Sequence, residues 1–276
     1  MSNTVDPVDP LAPLAELPGV PQAVESVRKA VDRVYGHRIM RRRSSEVSGE
    51  AALRGARASA ALEGADWALE EVRRRTDFGV AGEPRTVGAA LRVTAEAGQL
   101  LDVWQQSPLR VLARLHLVAA GKGEPGDAVG RPRLAGEPVD GPEAGSAPPP
   151  ADEVGVRLDG LAQLITGGTS APALVLASVV HGELMTLRPF GSYNGPVARA
   201  AERIVLIGSG LDPKAICPAE VGQAEQGREA YRAALDGFAS GTPEGMAAWI
   251  AQCGRAVELG VRESTAVCEA LQRGAA

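Results

Sequence analysis

The stretch His181-Gly-Glu-Leu-Met-Thr-Leu-Arg188-Pro189-Phe190-Gly191-Ser192-Tyr193-Asn194-Gly195-Pro196-Val197-Ala198-Arg199 decides how this chain is read. It closes an apolar segment from 172 to 187 that is long enough for a buried helix. Pro189, Gly191 and the Asn194-Gly195 pair then interrupt any regular structure. A second helix is predicted from Asn194 to Gly208, with Pro196 in its first turn, where a missing N–H costs nothing. Two helices joined by a short polar loop therefore form the centre of the reading.

Helical periodicity continues outward in both directions. Val24, Val27, Val31 and Val34 recur at three- and four-residue steps from Pro21, and Gly36 offers a stop. A proline-free stretch rich in Ala, Glu and Arg predicts one helix over about 45–75. Further helices are predicted over 86–105, 109–120, 154–165, 231–238 and 243–271. Residues 1–20 read as a disordered lead-in, and 21–276 as one helical domain. Seven glycines and seven prolines fall within 121–150, so that segment reads as a long irregular flap. Two short strands are expected in it, over 129–134 and 137–139, turning at Ala135-Gly136. The fold class expected is mainly α with a β-hairpin flap.

The quoted stretch resembles the Fic motif, His-Pro-Phe-x-(Asp/Glu)-Gly-Asn-Gly-Arg-x-x-Arg. Pro189, Phe190, Asn194, Gly195 and Arg199 match it, whereas Arg188, Ser192, Tyr193 and Pro196 do not. Upstream, Ser59-Ala60-Ala61-Leu62-Glu63-Gly64 is similar to the inhibitory motif (Ser/Thr)-x-x-x-Glu-(Gly/Asn) of Fic proteins that carry an inhibitory helix. Leu115-His116 before the 121–150 segment, and Tyr231, Leu235 and Ala248-Trp249-Ile250 after it, resemble the remainder of that domain.

The resemblance implies a fido-type helical fold and a loop that transfers AMP from ATP to a protein hydroxyl. Such chemistry needs a base, a metal ligand and an anion cradle at a helix start. Arg188 stands at the base position, and a guanidinium has no lone pair to accept a proton. Ser192 stands at the metal-binding carboxylate, and a neutral hydroxyl is a poor ligand for a hard cation. Tyr193 replaces a cradle glycine and would adopt positive φ only at a cost of about 1–3 kcal/mol. Pro196 replaces a phosphate-binding arginine. The resemblance also implies that Glu63 and Arg199 pair, tying the inhibitory-type helix to the helix after the loop.

The expected function is thus a catalytically inactive Fic-like protein, a pseudoenzyme that works as a binding or regulatory module. One alternative is a nucleotidyl- or phosphate-transferring enzyme with a non-standard site. Under that alternative Arg188, Asn194, Gly195 and Arg199 would hold an anion, His181 would act as base, and ATP with Mg would be the cofactor. The other is a structural helical scaffold. On its apolar helix His181 reads as a hydrogen-bonded core histidine before a substitute base, and His116 likewise.

Composition narrows partners. A net charge of -5 and a pI near 5.4 supply no field for a phosphate backbone, so nucleic acid is not expected. The Arg41-Arg42-Arg43 run beside Arg38 reads as a solvated face. Cys217, Cys253 and Cys268 are too scattered for a disulfide framework and read as buried fillers, with no metal site. No signal-type start or long apolar span is visible, which predicts a cytoplasmic protein off the membrane. The expected partner is another protein, engaged through the flap or the cleft, and homo-oligomers are compatible with the Ala-rich faces.

Overall fold

A computed structural model describes residues 9–139 and 147–274. The helices, in chain order, are α1 (Ala12–Ala15), α2 (Val20–Tyr35), α3 (Ser44–Leu62), α4 (Leu69–Arg74), α5 (Glu83–Ala97), α6 (Leu101–Trp104) and α7 (Pro108–Ala120). They continue as α8 (Ala151–Gly167), α9 (Ala173–Leu187), α10 (Asn194–Gly208), α11 (Ala219–Gln226), α12 (Arg228–Ala239) and α13 (Pro243–Gln272). None of them is long and apolar enough to cross a membrane.

The α9–α10 pair forms the centre. Ten of the residues of α9, and every residue of α10 from Asn194 to Leu206, are buried. A helix apolar on all sides is stable only inside a core, and α9 is covered by α8, α10, α12 and α13. The small residues let backbones approach closely. A Cβ on Gly222 of α11 would lie 2.0 Å from the Ala256 carbonyl oxygen of α13. One apolar core runs from Leu11 to Leu271, and a smaller cluster around Trp67 fills the space between α3 and α5.

Four sequence expectations differ from the structure. The helix expected over 45–75 ends at Leu62, because Gly64 takes φ +97 and its N–H and that of Ala65 bond back to Ala61 and Ala60. That pattern is a Schellman cap, and it satisfies carbonyls that a continuing helix would have used. The helix expected over 86–105 is likewise split after Ala97, near Gly98. In the lead-in expected to be disordered, residues 9–20 pack onto the fold. Leu11 lies in the core, and the Asp9 carboxylate accepts from the Thr169 and Ser170 hydroxyls and the Ser170 N–H. Residues 1–8 lie outside the described residues.

The fourth difference is the flap. No strand occurs among the described residues, and 129–139 form two short turns joined by irregular chain. Pro132 and Pro138 cannot donate to a ladder. Glu137 instead closes the turn on itself, accepting from the Leu134 N–H at 2.7 Å and from Arg131. Residues 140–146 of the expected flap lie outside the described residues.

Candidate functional site

The loop between α9 and α10 turns on two residues in left-handed backbone. Arg188, the C-cap of α9, has φ 44, and Tyr193, the N-cap of α10, has φ 56. Each such non-glycine residue costs about 1–3 kcal/mol, so the surroundings must hold the turn. Asn194 does so from within. Its Oδ1 accepts the Phe190 N–H at 3.0 Å, and its Nδ2 donates to the Phe190 carbonyl at 2.8 Å. Arg133 does so from the flap. Its Nε donates to the Arg188 carbonyl at 2.8 Å, its Nη2 reaches the Leu187 and Pro149 carbonyls, and its backbone N–H donates to the Pro189 carbonyl at 2.8 Å.

Arg188 itself is buried and lines a cavity of about 450 Å³ with Arg157, Glu183, Leu235, Phe238 and Met246. Burial, and then the neighbouring Arg133 cation, lower the affinity of its guanidinium for its proton. On the other side of the loop, Phe190 stacks on His116 with centroids 4.2 Å apart. His116 Nδ1 accepts the Gly130 N–H at 2.9 Å, which leaves the neutral ring's proton on Nε2, 3.4 Å from the Ser192 hydroxyl. Burial pushes its pKa down to about 4. A ring in this tautomer donates toward Ser192 and cannot take a proton from it. A second cavity of about 380 Å³ opens here, lined by His116, Ser192, Glu124, Val129 and Glu137.

Ser59, Glu63 and Arg199 meet. Arg199 is 2% exposed, and its Nη2 donates to Glu63 Oε1 at 2.7 Å. Its Nε donates to the Ser59 hydroxyl at 2.8 Å, and Nη2 also reaches the Ser59 carbonyl. Glu63 sits just past the end of α3 and against the start of α10, where the helix dipole favours an anion. Gly195 makes room for it, since a Cβ there would lie 2.1 Å from Glu63 Oε1. Gly64 ends the helix behind the carboxylate. Pro196 occupies the third position of α10, and the first N–H to bond within the helix is that of Val197. The missing donor of Pro196 is therefore one that the helix start does not use.

His181 is elsewhere. It has no exposed surface, lines neither cavity beside the loop, and shares its two nitrogens between the Tyr231 hydroxyl at 2.9 Å and Glu202 Oε2 at 2.8 Å. A base for solvent-borne substrates needs access that this position lacks. The three cysteines are buried and reduced.

Sequence reasoning missed Arg133, Glu202 and Gln223. Arg133 lies in a Gly/Pro-rich segment with no periodicity, and no local pattern marks it as the clamp. Glu202 and Arg203 did carry a signal, two charges inside the apolar run Ala200–Leu206. Arg203 pairs there with buried Glu220 through two bonds of 3.0 and 2.8 Å. A larger cavity, about 560 Å³, lies between α3, α11 and α12, but no loop residue lines it and its Arg57 and Asp66 pair with each other.

No protein-family model matches the sequence, and neither does any curated protein. Solved structures do match, and they share a fold. A Fic family protein from Desulfovibrio desulfuricans superposes with TM-score 0.70 at 21% identity, over 89% of this chain and 74% of that one. Residues 134–508 of Fic-1 from C. elegans give 0.62 at 16% identity, over 90% and 72%. A Fic domain containing signaling protein from Bacteroides thetaiotaomicron gives 0.60 at 12%, over 90% and 97%. The chain has the Fic-type fold.

Proposed function

We propose that this Fic-fold chain is a catalytically inactive member of the Fic family that works as a binding module through the cleft beside its α9–α10 loop. The observation that supports the reading is the loop's own set of side chains. Arg188 occupies the place of the base as a buried cation, Ser192 offers a neutral hydroxyl in place of a carboxylate, and Pro196 offers no charge to a phosphate. The nearest imidazole, His116, keeps its proton on the nitrogen that faces Ser192 and is a weak base besides. Transfer of AMP would lack proton acceptance, metal ligation and charge neutralisation at once.

The cleft, and not the flap, is the favoured surface. Recruitment of an extended peptide by β-augmentation needs a strand edge, and the described part of the flap has turns instead. The 450 Å³ cavity combines an apolar wall of Leu235, Phe238 and Met246 with the charged side chains of Arg157, Glu183, Arg188 and Asp236, a lining suited to an apolar group carrying a polar end. The test has two arms. The purified chain incubated with ATP, UTP or GTP and Mg should show no added nucleotide mass on itself or on lysate proteins. Thermal-shift screening of small amphipathic molecules should be sensitive to Met246→Trp, which fills the cleft without adding a charge. Label above a heat-denatured control would overturn the inactive reading.

A further inference from the structure

Behind the loop, five helices each bring one side chain into a closed cluster. α9 supplies His181, α10 Glu202, α11 Gln223, α12 Tyr231 and α13 Cys253, and all are buried. A nitrogen of His181, a carboxylate oxygen of Glu202 and Cys253 Sγ lie within 4.8 Å of one another. Among the described residues no other such group of three occurs. Two further acceptors in the cluster, Glu202 Oε1 and Gln223 Oε1, are buried with no hydrogen-bond partner. A buried oxygen without a donor is costly, and a cation relieves one that ligates it.

We propose that His181, Glu202 and Cys253 bind a divalent transition-metal ion of the zinc class, with Gln223 completing the shell. Nitrogen, sulfur and oxygen donors in one place suit zinc and its neighbours, whereas calcium and magnesium take oxygen alone. Gln223 Nε2 lies 2.7 Å from Glu202 Oε2 and 3.4 Å from His181 Nδ1. Turning that amide over exchanges its nitrogen for its carbonyl oxygen at the same place, and the two are not distinguished by shape. The metal takes the Nδ1 lone pair of neutral His181, whose Nε2–H then donates to the Tyr231 hydroxyl at 2.9 Å and fixes the tautomer. Cys253 binds as thiolate, and its proton leaves to solvent. The charges of thiolate and carboxylate balance the ion. The 2.8 Å contact between His181 and Glu202 must open to the roughly 3.4 Å that separates ligands bound at about 2.1 Å in a tetrahedral site.

The full chain, produced in zinc-supplemented medium and dialysed, is assayed for metal by plasma mass spectrometry. The same chain produced with cobalt(II) is read for the thiolate-to-cobalt charge-transfer band. The expected result is at least about half a metal ion per chain and a band that disappears in Cys253→Ser but persists in Cys217→Ser and Cys268→Ser. A smaller metal content, or a band that survives Cys253→Ser, would overturn the site. Circular dichroism checks each variant. Should Cys253→Ser not fold, Glu202→Gln is read in its place, with at least about tenfold weaker cobalt binding expected and unchanged binding counting against the proposal.

Discussion

Two halves of the α9–α10 corner obey different rules. At the α3 side, Ser59, Glu63, Gly195 and Arg199 all follow the Fic pattern, and each has a defined partner or a space that only it fits. At the cleft side, Arg188, Ser192, Tyr193 and Pro196 depart from that pattern, and two of the four sit in left-handed backbone. Residues whose side chains tie helices together are held in place by the cost of leaving a buried partner stranded. A residue that only touches a ligand has no such constraint. On the proposed reading, the lock persists because it has become structural, while the chemistry it once restrained has gone.

The comparison breaks most visibly at Arg199. Arg199→Ala strands Glu63 and the Ser59 hydroxyl, and chemical denaturation should report a loss of about 3–5 kcal/mol. Glu63 keeps 17% of its side-chain surface against 2% for Arg199, so Glu63→Ala, which strands the more buried charge, should cost a comparable amount. The double-mutant cycle should return a coupling clearly above zero, and a value of zero would make both residues remnants. Gly195→Ala is the next test. Its methyl collides with the Glu63 carboxylate, which should cost about 1–3 kcal/mol in the native chain. In the Glu63→Ala background the same change should be neutral or stabilising, because alanine is the better helix former.

The smallest effect concerns pH and the cleft side. The folded state prefers His116 neutral, with a pKa near 4 against an ordinary 6.5. Its contribution is therefore complete above about pH 6.5 and is lost as pH falls toward 4, at no more than about 1.4 kcal/mol per pH unit. Denaturation of the native chain and of His116→Gln across that window should converge as the pH drops. Parallel curves would mean that His116 is not held neutral by the Gly130 N–H and its burial.

How much of this was legible beforehand follows from range. The start of α10 can be read from Asn194-Gly195-Pro196, because those residues act on the backbone within one turn. The end of α3 is not where its proline-free, Ala-rich sequence predicts it, because Gly64, part of a motif in the sequence, also caps the helix in left-handed backbone. α11 is hard to read from sequence because it is only eight residues long and Gly222 interrupts its Ala, Glu and Gln, the glycine being there for the close fit on α13. The Ser59–Glu63–Arg199 contact came from matching two motifs. Arg133 clamping the loop, and Glu202 with Gln223 around His181, depend on contacts between segments that share no local pattern.

The central claim is that the lock no longer restrains a reaction. Glu63→Gly removes the carboxylate that holds Arg199 and leaves the rest of the loop intact. After incubation with ATP and Mg, the intact mass of this variant should equal that of the untreated chain, with a lowered melting temperature as the sole consequence of the change. Addition of one AMP to the variant would contradict the account, because it would show that Arg188, Ser192 and Pro196 still support transfer once the lock is released.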